Sequence, residues 1–585
     1  MNSFLRHALV ATTMWATLAG SLSAIAQDQV STDKLVPRNT SLYVTVPSVE
    51  DLKKRFGESS FGAIQKDEAL KEFIESLQEP LAKVSEKVEQ ETGVKLDALL
   101  NIPKGEVSIA LVQPRNEKMA FVLMLGYGEN QAVVDSLIEK ADASLVEKGA
   151  KRSTEELENT KVSVYTTEET VTDPFGEETT RENQVAVFTK DSRLVISSSL
   201  SASGSVLARW DGQHENTLAS KDVYKYIIDR CKIEGSDPVL NFYVDPVGLV
   251  TSASRSAAEP DIRLTMLLGM LPTLGLSNLK GAGGSTHMAT EAYDAVNNFV
   301  IFVEQPTSGL LDIAQFPAIE QAPPKWVSDD TTSYVAANWD VATAYTAVRF
   351  LVDSFRGAGN FDAVIERLAN SDGGPQIHIK KDIIDQITGR IHVISKTEPG
   401  EDTGDDGGIG GLPIEKALIA LELKNVDNMK GTLDRIAKTP GFPGKIREYR
   451  NANIYEATLP APQIQSEAQS LGIAIVHGHL MFSNDMERLE QAIRADGKPL
   501  ADADDYKKIA AQLPAKTSIL GYQKQDTQMK SLYDLLRGNA ALQESLGVDF
   551  SKLPPFETVS KYLKPQGTFF APDENGVFIS NFTLR

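Results

Sequence analysis

A single cysteine, Cys231, stands in a chain of 585 residues, so no disulfide can form within it and the fold must be held by ordinary hydrophobic cores. At this length such cores are within reach, because the share of surface buried on folding rises with chain size. The N-terminus carries Arg6 and His7, an apolar stretch from Ala8 to Leu22, and then Ala24-Ile25-Ala26, with small residues at the −3 and −1 positions of a cleavage site. This pattern predicts a signal peptide over 1–26, a short tail over 27–34, and an exported protein, periplasmic or secreted. The apolar stretch is shorter than the roughly 20 residues a membrane span needs, and no cysteine follows it to carry a lipid. Later apolar runs are shorter still. The densest, Leu264 to Leu276, is interrupted by Gly269, Pro272 and Gly275, so no transmembrane segment is expected after signal cleavage.

The formal net charge of −21 favours solubility and speaks against a general affinity for nucleic acid or anionic lipid, both of which need basic surface. Cations suit such a surface better.

Self-similarity suggests how the chain is organised. Val36 to Val44 and Val327 to Val335 both read as a turn entering a strand. Gly105-Glu106-Val107-Ser108-Ile109 and Gly389-Arg390-Ile391-His392-Val393 each begin a second strand. Hairpins follow, Val185 to Phe188 turning into Leu194 to Ser197, and Ile473 to Val476 turning into Leu480 to Ser483. Leu218 to Lys225 matches Leu500 to Lys507 most closely. The order is kept and the offset drifts by only a few residues. The expectation is α+β, as two tandem copies of an antiparallel-sheet module with helices packed on the sheets. The copies would run over 35–305 and 326–585, joined by a linker at 306–325 that contains Pro323-Pro324. Residues 398–411, EPGEDTGDDGGIGG, read as a flexible acidic surface loop.

Each constellation that carries chemistry has a plainer reading beside it. His477-Gly478-His479 offers two imidazoles but falls where a hairpin tip is expected, and no third ligand can be named. His378 and His392 read as surface or edge-strand residues. The loop over Glu401 to Gly407 is rich in carboxylates, yet calcium spacing fails at Gly404 and Pro413, leaving weak calcium binding as an open question. Asp502, Asp504 and Asp505 read as caps of the helix from Tyr506. Gly281 to Thr286 lacks the phosphate-loop ending and reads as a helix-to-strand turn. Ser31-Thr32-Asp33-Lys34 and Ser277-Asn278-Leu279-Lys280 match Ser-x-x-Lys without its partner motifs. Cys231 reads as a packing residue. No catalytic or cofactor-binding residue is therefore assigned, and the identity of any metal ligand stays unknown. The apolar 264–276 region reads as a core helix, or as a patch that meets a protein, lipid or peptide partner.

The opening Pro37-Arg38-Asn39-Thr40-Ser41-Leu42-Tyr43-Val44 is followed by an amphipathic helix around Val49, Leu52 and Phe56, and then by Phe61, Ile64, Leu70, Phe73 and Ile74. This start resembles exported bacterial proteins of a domain-of-unknown-function family, in which a Pro-Ala-Asp-Thr-like turn leads into the first strand; here Arg38 and Asn39 replace Ala and Asp. The resemblance implies export and a repeated α+β layout, and brings no catalytic residues with it. The reading that follows is a non-enzymatic envelope or periplasmic protein with a binding or structural role. Its alternative is an extracytoplasmic hydrolase whose site is assembled only in three dimensions.

Overall fold

The computed structural model describes residues 29–585 apart from 93–95, 115–116, 173–177, 257–261, 372–373, 399–413, 441, 443, 460–468, 540–542 and 544–547. Strands in the first part of the chain are β1 (Leu42–Val46), β2 (Val107–Val112), β3 (Ala120–Gly126), β4 (Lys151–Leu157), β5 (Thr160–Thr172), β6 (Glu178–Lys190), β7 (Arg193–Ser197), β8 (Leu240–Val244), β9 (Leu279–Met288) and β10 (Tyr293–Val303). There follow β11 (Ser333–Asn338), β12 (Ile387–Glu398), β13 (Ile414–Leu423), β14 (Gly444–Tyr449), β15 (Ala452–Leu459), β16 (Gln469–Val476), β17 (His479–Ser483), β18 (Ile519–Lys524), β19 (Pro565–Asp573) and β20 (Gly576–Leu584). The helices used below are α1 (Val49–Glu58), α2 (Asp222–Cys231), α3 (Ile262–Met270), α4 (Val341–Arg356), α5 (Asn360–Ala369), α6 (Val426–Ala437), α7 (Met486–Arg494) and α8 (Asp504–Ala510).

The described residues form two compact units, those within 1–261 together with 281–295, and those within 262–280 together with 296–585. In the first unit the strands pair antiparallel in the order β4-β5-β6-β7-β3-β2-β1-β8-β9. In the second the order is β14-β15-β16-β17-β13-β12-β11-β18-β19-β20, and β10 pairs with β20.

The expected fold class is corrected by this pairing. Two tandem copies of an antiparallel-sheet module are not confirmed: among the described residues the strands join into one large antiparallel sheet of twenty, in a chain 40% helical and 33% strand. A strand edge extends its ladder wherever it meets free backbone donors and acceptors, whichever side chains it carries. Sequence similarity between segments therefore does not decide how many sheets they build. Residues 306–325, read as a linker, contain a short helix at Leu310–Ile313, and Ile319 bridges to Thr517 within the second unit.

Alternation explains why the sheet has a dry face. β3 reads AFVLMLG and buries every second side chain, including Val122 and Met124. Register then lines up one buried row across five strands, Tyr243, Tyr43, Ala110, Val122 and Ser197. Tyr224, Ile227 and Cys231 of α2 fall on one helical face and are all buried. The Tyr224 ring meets Tyr43 and Tyr243 edge-on at 6.0 and 5.6 Å between centroids. In the second unit Tyr522, Tyr334, Ile394, Leu418 and Ser483 form such a row, with Tyr506 of α8 edge-on to Tyr522 at 5.5 Å.

The glycines of Gly281 to Thr286 lie inside β9, paired with β8, and do not form the expected helix-to-strand turn. Their role is closeness. A Cβ at Gly283 would stand 2.4 Å from the Phe242 carbonyl oxygen and 3.1 Å from Cγ2 of Ile227, so only glycine lets α2 settle on this strand.

Candidate functional site

The residues singled out by sequence fall in separate places. His477 and Gly478 form the loop between β16 and β17, with φ of 51° and 76°. His479 Nδ1 lies 2.7 Å from the His477 carbonyl oxygen, and His477 Nε2 lies 3.1 Å from that of Ala492. His378 is exposed. His392 is neither surface nor edge: it sits in β12 between β11 and β13 and is buried, because its strand turns His392 and Ile394 to the same inner face. Asp504 and Asp505 occupy the first turn of α8, where negative charge is favourable, but the residue before the helix is Ala503 and no side chain caps it. Asp502 closes the preceding turn, Leu500–Asp502. Ser277 and Asn278 lie in a turn that enters β9, and Lys280 pairs with Glu304 at 3.1 Å. Cys231 is buried at the end of α2, and its carbonyl accepts a hydrogen bond from Ser285 Oγ at 3.1 Å. The signal segment and the 401–407 calcium candidate lie outside the described residues. Among the described residues no group of three or more His, Cys, Asp or Glu could hold a metal ion.

A buried polar cluster joins Glu106 and Thr32, to which the sequence assigned no polar role, with Arg193. Ser31 to Lys34, read as part of a tail, is a docked turn with Thr32 fully buried. The Thr32 backbone N–H donates to Glu106 Oε2 at 3.0 Å and its hydroxyl donates to Glu106 Oε1 at 2.7 Å. That hydroxyl also lies 2.6 Å from the Tyr43 phenol oxygen, and the Thr45 hydroxyl donates to Glu106 Oε1 at 3.1 Å. Arg193 Nη2 stands 3.4 Å from Glu106 Oε2 and donates to the Val30 carbonyl at 3.0 Å. Trp210 packs on the Arg193 guanidinium at 5.7 Å, its indole N–H donating to Asp191. Tyr224 donates to Asp33 Oδ2 at 3.2 Å.

Burial pushes the Glu106 carboxyl above the usual carboxylate range, against the opposing pull of Thr32 and Arg193. Burial lowers Arg193, and it drives the Tyr43 phenol well above its ordinary value. A signal for this cluster was present. Glu106 continues the period-two series Ser108, Ala110 and Val112 of β2, and Arg193 that of Val195 and Ser197, so both belong to buried faces.

The second unit holds a buried aromatic and imidazole group. His392 and His479 stand 5.4 Å apart between ring centroids, and Trp326 meets them edge-on at 6.0 and 5.4 Å. Tyr334 stacks on His392. Burial first, then His479 and Arg390, lowers His392 to about 3, and burial lowers His479 as well.

Exposed apolar side chains concentrate on helices of the second unit. On α4, Val341, Tyr345, Val348, Val352 and Phe355 alternate at spacings of four and three, the pattern of a helix that packs on another. The stripe is buried at Val341 but open at Val348 and at Phe355, which is 50% exposed. On α5 the stripe is buried at Phe361 and open at Val364 and Leu368, the latter 52% exposed. Tyr345 and Phe361 hold the two helices together edge-on at 5.2 Å, beside an Arg349–Asp362 ion pair. In the 264–276 region Met266 of α3 is 60% exposed, whereas Leu271 is buried. Among the described residues no helix is long and apolar enough to cross a membrane.

No family model matches the chain, and neither a curated protein nor a solved structure is similar to it.

Proposed function

We infer that this is an exported, non-enzymatic binding or structural protein of the envelope or periplasm, and that it engages a protein partner through the α4–α5 helix pair. The observation that carries the reading is the course of the two apolar stripes, which begin in the core at Val341 and Phe361 and run on uncovered to Phe355 and Leu368. Proteins in water seldom expose such surface without a use for it. Helix pairs with open stripes of this spacing receive an amphipathic helix, whose apolar face fills the groove. The pair carries Arg349, Arg356 and Arg367 against Asp353, Asp362 and Glu366, a balance that suits a protein partner better than an anionic lipid surface.

The test places a photoreactive residue at Phe355 in the intact chain, produced in its own host, with Val146, 48% exposed on the helix Gln131–Glu147, as control. A single adduct of defined mass from position 355, absent from 146 and lost on Leu368→Ser, supports the reading. Equal labelling at both positions, or turnover of an ester, peptide, phosphate or glycoside abolished by one Asp, Glu, His or Ser substitution, overturns it.

A further inference from the structure

We propose that the Glu106–Arg193 slot is a peptide-recognition site, kept closed in cis by the chain's own residues 29–36. Its ligand class is a short peptide with an aliphatic residue two places before a threonine, entering a tight turn.

The contacts are those of a bound peptide, made to backbone as much as to side chains. Arg193 holds the Val30 carbonyl, and both Glu106 oxygens receive the Thr32 amide, at 3.0 and 3.2 Å. The Thr32 hydroxyl is read twice, by Glu106 and by Tyr43. The Val30 side chain sits against Gly212, where a Cβ would lie 2.8 Å from Val30 Cγ1. Gln29 Nε2 donates to the Asp191 carbonyl at 2.5 Å, and Asp33 receives Tyr224. Among the described residues Arg193 keeps a buried Nε–H without an acceptor, a donor the cis segment does not use.

The segment does cover the sheet with apolar side chains, Leu35 and Val36 being fully buried and the Val36 carbonyl accepting from the Leu218 N–H at 3.0 Å, but cover alone does not call for the charged pair set beneath residues 30–32. Setting a carboxylate and a guanidinium beneath it adds little stability, because desolvation offsets most of their attraction, but it adds direction and selectivity. The cis segment holds the slot through its tether, which gives it a high effective concentration over any free peptide. Expelling the segment while leaving the slot intact therefore exposes the site.

The experiment uses the full chain and a fluorescein-labelled peptide of residues 29–37. Thr32→Asp sets a carboxylate against Glu106 and expels the cis segment. Fluorescence anisotropy should then show the labelled peptide binding at least tenfold more tightly to this variant than to the unaltered chain. Binding should fall at least tenfold when Glu106→Ala is added, and when the peptide's own threonine is replaced by valine. Circular dichroism establishes that the variants remain folded. Hydrogen exchange on the unaltered chain gives an independent reading, with the amides of 30–36 exchanging at least tenfold faster than those of β1. A folded Thr32→Asp chain with no peptide binding, binding indifferent to Glu106, or exchange of 30–36 as slow as β1 would each overturn the proposal.

Discussion

The phenol oxygen of Tyr334 lies 2.9 Å from Nδ1 of His392 in the middle of the sheet, with no charged partner in that hydrogen bond. Burial keeps the phenol protonated and the imidazole neutral, so the pair is a neutral contact made of two groups that both titrate in water.

Acid sensitivity follows from that pair. His392 falls from 6.5 to about 3 on folding, so between those values the unfolded chain binds the extra proton. Its contribution to stability is complete above pH 6.5 and is lost as pH falls toward 3. One pKa unit corresponds to about 1.4 kcal/mol, which makes the loss on the order of a few kcal/mol. Denaturant midpoints measured from pH 7 to pH 4 should drop steeply for the unaltered chain and less for His392→Phe, which keeps a ring against Tyr334 and Trp326. Parallel slopes would count against the assignment.

The Glu106–Arg193 pair should behave non-additively. Glu106→Leu or Arg193→Met alone leaves a buried charge without its partner and is expected to cost about 3 kcal/mol. The double variant removes both charges and should cost about 1 kcal/mol or less, a coupling that a double-mutant cycle of urea unfolding measures directly. Additive losses would show that the two charges do not depend on one another.

Two glycines should respond in opposite directions. Gly283→Ala forces a methyl against the Phe242 carbonyl and Ile227 and should destabilise by about 2 kcal/mol or more. Gly431 lies within α6 with no atom near its absent Cβ, so Gly431→Ala should stabilise by about 1 kcal/mol. Thermal melts of the two variants under one condition decide both.

On the open stripes, Phe355→Ser and Leu368→Ser should leave the unfolding free energy within about 0.5 kcal/mol of the parent, as expected of exposed positions. Val341→Ser, on the same stripe of α4 but buried, should cost about 2 kcal/mol or more. A large loss at Phe355 would mean that its ring supports the fold.

Legibility in the sequence followed the apolar pattern and stopped where that pattern stopped. β1 and β3 alternate cleanly, and their faces can be read from the residues alone. The apolar pattern marks β5 and β6 only around Val162 to Tyr165 and Val185 to Phe188, yet the strands run from Thr160 to Thr172 and from Glu178 to Lys190. Their outer halves, with Glu168 opposite Glu182 and Glu169 opposite Arg181, pair through backbone and carry no apolar signal. His392 was misplaced because Ile391 and Val393 flank it, which leaves either face of the strand as the apolar one. The burial of Glu106 and Arg193 is not evident from residue type, because charged residues beside strands are usually solvated, and only period-two counting sets them inside. The single sheet was beyond reach for a different reason, since hydrogen bonds between backbone groups leave no trace in side-chain type.

Trp210 gives the first unit an optical reporter of its own. It is the one tryptophan between residues 29 and 295, and its indole meets the Phe188 ring edge-on and carries the cationic ends of Lys190 and Arg193 over it. With Trp15, Trp326 and Trp339 replaced by phenylalanine, its emission colour and quenching would follow, in real time and without any added dye, every event that moves Arg193.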